Sequence, residues 1–156
     1  MENNQVRNRK VIVFQLNDEE YAVSVTQVGS IERIQPITRV PQTADFVKGV
    51  INLRGVVTPV IDLRVRFNME QKDFDELSRI IIVYMDDMEV GLIVDEANDV
   101  IDIPEDTIEP PPEVVGTVDV DYIEGVAKLE NRLLILLDLQ KVLTKEEITE
   151  IKTMEG

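Results

Sequence analysis

Among the acidic side chains that stand close in the sequence, three pairs are weighed as reactive groups: Asp86 with Asp87, Asp95 with Glu96, and Asp119 with Asp121. Paired carboxylates can divide acid and base roles, and clustered ones can hold a hard cation. Neighbours on a strand point to opposite faces, however, so adjacent acids rarely converge on one substrate. Asp119 and Asp121 lack the third ligand, the glycine and the closing Glu of a calcium loop. Other chemistries lack their residues altogether. The 156-residue chain has no cysteine and no histidine, which removes disulfides, thiolate zinc sites, cysteine nucleophiles and the commonest general base. Its seven glycines are scattered, with none at the Gly-x-Gly spacing of a phosphate loop. No tight metal or nucleotide cofactor is therefore expected, and an enzyme made from this alphabet would be a small carboxylate-based hydrolase.

Arg54 is a candidate of another kind. It stands at a bend between two apolar strands, followed at once by Gly55, which frees the backbone and leaves its neighbour uncrowded. Two readings are open: a surface charge or structural bridge to Asp62, or a contact residue for a protein partner, since Arg is enriched among interface hot spots. The charge of the whole chain favours protein partners. Sixteen basic residues face 31 acidic ones, a formal net charge of −15, and such a field repels phosphate backbones, so nucleic acid is not an expected partner. The first 67 residues are slightly basic and the remainder is strongly acidic, a division that suits two different partners.

The elements that must position these residues are mostly strands. Apolar residues make up 44% of the chain, enough to build a core. Val and Ile come in short clusters separated by turn residues, a composition that packs well on a pleated surface. Strands are expected at 10–16 and 21–25 around an acidic turn, then a short helix capped by Ser24 and Gln27, then an extended stretch over 31–40. Residues 43–49 read as a helical turn with Gly49 as its stop. Strands at 49–53 and 56–61 lead to a short helix capped by Asp62, and 68–78 reads as a linker. After it the pattern repeats. Residues 11–31 align without a gap on 80–100, and 46–67 on 122–143, matching Gly49 with Gly125 and Asp62 with Asp138. Between these blocks Pro110-Pro111-Pro112 imposes a stiff loop. The end of the chain reads as one helix, or as two broken at Thr144. The fold class is all-β: two SH3-like five-stranded β-barrels with short helices and a C-terminal helix. Approximate subdomains are 10–67, 79–143 and 144–152 within one domain over 1–156, with strands open to exchange between barrels. The longest apolar runs, 80–85 and 133–137, fall far short of the ~20 residues of a membrane helix, so no direct membrane insertion is expected and the location reads as cytoplasmic.

One stretch is distinctive. Phe46-Val47-Lys48-Gly49-Val50-Ile51-Asn52-Leu53-Arg54-Gly55, followed by Pro59-Val60-Ile61-Asp62-Leu63-Arg64, resembles the signature of the bacterial chemotaxis coupling proteins, the CheW family. Ile37-Thr38-Arg39-Val40-Pro41 before it, and Val90-Gly91-Leu92-Ile93-Val94-Asp95 and Pro110-Pro111-Pro112-Glu113 after it, extend the likeness over nearly the whole chain. The resemblance implies a non-enzymatic adaptor. It would couple the cytoplasmic tips of chemoreceptors (methyl-accepting chemotaxis proteins) to the regulatory domain of the histidine kinase CheA, and be recruited to receptor arrays at the membrane. It implies a receptor groove near Val28, Ser30, Ile31, Arg54 and Gly55, with Ala97 from the second unit. It also implies kinase contacts at barrel ends, near Arg39 and Phe46 in the first barrel and Val114 and Val115 in the second. Many relatives carry Glu where this chain has Ser30, and a bulkier residue where it has Val114. A near alternative is the coupling domain of a larger chemotaxis regulator with a receiver, against which stands the lack of such a segment after Lys152.

Overall fold

A strand covered on both faces needs a continuous apolar run rather than alternation, and the runs of this chain are used in that way. The computed structural model describes residues 7–112 and 120–153. In the first half, β1 (Asn8–Leu16) and β2 (Glu19–Ser24) form a hairpin. A 3-10 turn at Val25–Gln27 leads into β3 (Val28–Arg33), and a second hairpin of β4 (Val47–Leu53) and β5 (Val56–Asp62) leads into α1 (Leu63–Arg66). The second half repeats this order with β6 (Arg79–Met85), β7 (Met88–Val94), β8 (Glu96–Pro104), the two-residue β9 (Ile108–Glu109), β10 (Ile123–Leu129), β11 (Arg132–Leu137) and α2 (Leu139–Val142). It then adds α3 (Lys145–Thr153).

The strands form two sheets, in the orders β8-β1-β2-β11-β10-β9 and β3-β6-β7-β5-β4. The fold is all-β, with two SH3-like subdomains. The sheets do not follow the halves of the chain. Hairpin β1–β2 lies in the sheet otherwise built from the second half, and β6–β7 in the sheet otherwise built from the first. The exchange is reciprocal and keeps its register. Parallel pairing joins Val60 to Gly91 across β5–β7, and Leu136 to Ala22 across β11–β2, which are the same positions under the alignment of the two halves. Thr38 bridges Val50 at one sheet edge as Glu109 pairs Val126 at the other. Gly49 and Gly125 both sit at bulges. Asp62 and Asp138 both cap a four-residue helix, accepting from the backbone N–H of Arg64 (2.9 Å) and Gln140 (3.2 Å). The duplication read from the sequence is present in three dimensions.

Packing explains why the strands lack alternation. Val11, Val13, Leu134 and Leu136 fill the interior of one barrel, and Ile51, Leu53, Ile80 and Ile82 that of the other. The intervening residues of the same strands, such as Phe14, Ile81, Val83, Ile135 and Leu137, face a third and larger core shared by both sheets. A chain of rings runs through this shared core: Phe14, Tyr21, Phe67 and Tyr122 lie at successive centroid distances of 5.8, 6.3 and 5.4 Å. Arg66 lies over both Phe46 (4.8 Å) and Tyr122 (5.3 Å), which are equivalent residues of the two halves.

Two local expectations change, and a third settles on one of its two forms. Residues 43–46 form coil and turn rather than a helix, 47–49 already belong to β4, and Gly49 lies inside that strand at φ 144°. Glycine is needed there because a Cβ would come within 2.0 Å of the Thr38 carbonyl oxygen. Ser24 makes no side-chain cap; its hydroxyl bonds Thr26 (2.9 Å), and only a 3-10 turn forms. The final segment is two helices. Thr144 and Glu147 form a capping box at the start of α3, the Thr144 hydroxyl accepting from the Glu147 N–H (3.1 Å) and the Glu147 carboxylate from the Thr144 N–H (2.7 Å).

Candidate functional surface

The β4–β5 turn has only two central residues. Arg54 and Gly55 both have positive φ, 53° and 86°, the geometry that matches the twist of a tight hairpin. Asn52 braces it by accepting the Gly55 N–H at 2.8 Å. Arg54 is thereby held outward, with 71% of its side chain exposed, and it donates to Glu32 of β3 at 3.1 Å. β3 and β4 stand at opposite ends of the five-stranded order, so this pair spans the gap where the sheet curls back on itself. The anticipated bridge from Arg54 to Asp62 does not form. Asp62 is buried as the cap of α1, with Lys48 at 4.0 Å.

Val28, Ser30 and Ile31 line β3. Val28 packs against the shared core, Ser30 is half-buried opposite Ile82, and Ile31 is exposed. The bulge at Gly29 makes room for an aromatic that sequence reasoning missed. Tyr84 of β6 is itself exposed and lies over Gly29, where a Cβ would meet its hydroxyl at 2.9 Å. A Tyr interrupting the aliphatic run from Ile80 to Met85 is the signal the sequence offers. Arg54 and Glu32 meet where the first barrel's sheet curls, and Tyr84 lies over Gly29 on the same pair of strands, β3 and β6; Ile31, next to Glu32 on β3, is exposed on that strand's other face, the one paired with Ile81. Ala97 lies on the other sheet, half-buried and opposite Phe14; it is the counterpart of Val28, each at the start of an outermost strand.

Arg39 is exposed and lines an open cleft with Ile37, Lys48 and Phe74. Phe46 is not a surface residue. It is 5% exposed, beneath the Arg66 guanidinium, and its edge lines a cleft of about 280 Å³ against Ile151 of α3. Its burial follows from α3 and Arg66 closing over it, which rules out a broad direct contact through the ring. Val114, Val115 and Asp119 lie outside the described residues.

Asp86, Asp87 and Asp95 each face a cation. Asp86 and Asp87 flank Lys152 at 3.6 and 2.7 Å. Asp95 accepts from the Arg64 Nε (2.7 Å) and Nη2 (2.5 Å) and from the Asn17 N–H (2.8 Å). Among the described residues no group of three acidic side chains is placed to hold a metal ion. Burial acts to raise the Asp95 carboxyl, but the bonds from Arg64 and Asn17 and the guanidinium charge outweigh it and hold it below the usual carboxylate range. A depressed carboxylate stabilises the fold above its unfolded pKa of about 3.9, and that contribution disappears as pH falls through the folded value. Asp95→Asn is thus expected to cost about 2 kcal/mol at neutral pH. Urea melts at decreasing pH should show the gap to the natural protein closing below about pH 4; a gap constant with pH would contradict this.

Paired barrels that present outermost strands and a braced, outward-held arginine define a docking module. The comparisons agree with that class. Residues 10–147 match the family model of the CheW-like domain. The chain is 55% identical over 137 residues to "Chemotaxis protein CheW" of Bacillus subtilis, covering 88% of each, and 38% identical over 140 residues to "Chemotaxis protein CheW" of Klebsiella aerogenes, covering 90% and 84%. It is also similar to the crystal structure of scaffolding protein TtCheW from Thermoanaerobacter tengcongensis, with a TM-score of 0.84, 38% identity and coverage of 90% and 96%. The chain belongs to the CheW family. No helix among the described residues is long and apolar enough to cross a membrane.

Proposed function

We propose that this protein is a non-enzymatic cytoplasmic adaptor that couples the cytoplasmic tips of chemoreceptors to the regulatory domain of the histidine kinase CheA within membrane receptor arrays. The observation that carries this reading is the braced Arg54, held outward by its tight turn and by Glu32 on a barrel whose strands β3 and β6 also expose Ile31 and Tyr84: exposed arginine, apolar and aromatic side chains are the residue types enriched at interface centres. The accessible surface of 9103 Å² accommodates two partners at the ~800 Å² that a standard interface takes from each. Holding receptor and kinase together raises their effective concentration without chemistry.

The receptor is assigned to the β3 edge and the β4–β5 turn, at Val28, Ser30, Ile31, Arg54 and Gly55, with Ala97 contributed by the other sheet. The kinase is assigned to the barrel ends near Arg39 and near Val114 and Val115, with Phe46 supporting its surface from beneath. Titration of a receptor-tip fragment and of the kinase regulatory domain tests both assignments. Arg54→Ala is expected to lower receptor affinity 5–150-fold, about 1–3 kcal/mol. Folding stability should change by under ~1 kcal/mol, because an exposed ion pair is worth little. Unchanged receptor affinity in the folded variant would remove Arg54 from the interface, and failure of either partner to bind the natural protein would remove the adaptor reading.

A further inference from the structure

We propose that Arg64 and Asp95 are positioning residues that latch the two barrels together and so set the spacing between their outermost strands β3 and β8. Asp95 is the single residue between β7, which belongs to the five-stranded sheet, and β8, which belongs to the other. At this crossover one carboxylate holds both barrels. From the first comes the guanidinium of Arg64 on α1, through two hydrogen bonds. From the second comes the N–H of Asn17 in the β1–β2 turn, while the Asp95 N–H donates to the Gln15 carbonyl at 3.0 Å. Arg64 is anchored in turn by the Asp62-capped helix and by the Glu70 carbonyl at 2.7 Å. Both side chains are close to fully covered, 12% and 13% exposed, so the pair is shielded from the screening that weakens surface bridges.

The duplication supplies an internal control. The counterparts of Arg64 and Asp95 are Gln140 and Thr26. The equivalent crossover into β3 therefore has a 3-10 turn with a Ser24–Thr26 hydroxyl contact and no ion pair. One crossover is pinned by charge and its partner is not. Two packed bodies joined by two crossovers pivot at the less constrained one when the other is released. Ala97 follows Asp95 by two residues, so the start of β8 moves with the latch. This consequence for receptor binding rests on the proposed function; the latch itself does not.

The absence of cysteine makes the test direct. Spin labels placed through Ile31→Cys and Val100→Cys, both exposed positions on β3 and β8, report the inter-barrel spacing by pulsed dipolar spectroscopy. Asp95→Asn and Arg64→Gln are each expected to shift the distance distribution or broaden it about twofold. Glu32→Gln, which breaks only the outer Arg54 pair, should leave it unchanged. Labels at Val57 and Leu133, an exposed equivalent pair on β5 and β11, repeat the measurement if the first pair lowers the urea midpoint. Folded Asp95→Asn and Arg64→Gln proteins with the natural distribution would overturn the proposal. A changed distribution with unchanged receptor-tip affinity supports the latch and counts instead against the placement of the receptor across β3 and β8.

Discussion

Gly49→Ala is expected to cost on the order of 4 kcal/mol, a large part of the stability of a domain this size. Two penalties coincide. The backbone at φ 144° is open to glycine almost alone, and the added methyl would sit 2.0 Å from the Thr38 carbonyl oxygen. That oxygen cannot retreat cheaply, because Thr38 and Val50 exchange two backbone bonds of 2.8 and 2.9 Å at the sheet edge. Gly125→Ala is the matched comparison. Its methyl would approach the Glu109 carbonyl at 2.7 Å, without the unfavourable φ, so a loss of about 2 kcal/mol is expected. Urea melts of the two variants check the order. A smaller loss at Gly49 than at Gly125 would show that the edge strand yields more readily than its bonds imply.

Arg66→Ala is expected to cost about 3 kcal/mol. The guanidinium lies over the Phe46 and Tyr122 rings, donates to the Val142 carbonyl at 2.7 Å and meets Glu147 at 3.1 Å. One side chain thus ties α1, both equivalent aromatics, α2 and α3. Its loss leaves a carbonyl unpaired and opens space between two rings. Arg66→Lys should recover less than half of the loss, because an ammonium cannot lie flat on a ring and bond sideways at once. Urea titration gives the stabilities, and near-ultraviolet dichroism reports the packing around Tyr122. An alanine variant within about 0.5 kcal/mol of the natural protein would show the sandwich to be incidental.

Much of the fold was legible because its signals are local. The hairpin turns at Asn17-Asp18, Arg54-Gly55 and Asp86-Asp87, and the caps at Asp62 and Asp138, follow from residue type within a few positions. The gapless alignment of the halves placed β4 on β10 and α1 on α2. What stayed hidden depends on distant partners. Thr43 followed by Gly49 reads as a capped helical turn, yet Gly49 is demanded by Thr38, which approaches it from outside the segment. Phe46 reads as a surface aromatic because neither Arg66 nor α3 announces that it will cover it. Arg54 finds Glu32 rather than Asp62 because the sheet curls, and no periodicity states how far. The hairpin exchange is equally silent: β1–β2 is apolar on both faces whichever sheet receives it.

That exchange bears on how the molecule is made. Glu20 pairs Leu134 and Asn8 pairs Pro104, so hairpin β1–β2 leaves the ribosome well before β8 and β11, the strands it must lie between. At about 5–20 residues per second, the wait is on the order of ten seconds. During that time one face of the hairpin can meet Ile61, Leu63 and Phe67, while the other, bearing Val11, Val13 and Ala22, lacks Leu134 and Leu136 to cover it. Partnerships between strands so far apart in the chain also form slowly. The newborn chain is thus a natural client for holding chaperones, and cutting it at residues 68–78 would strand each hairpin away from its sheet rather than release two working barrels.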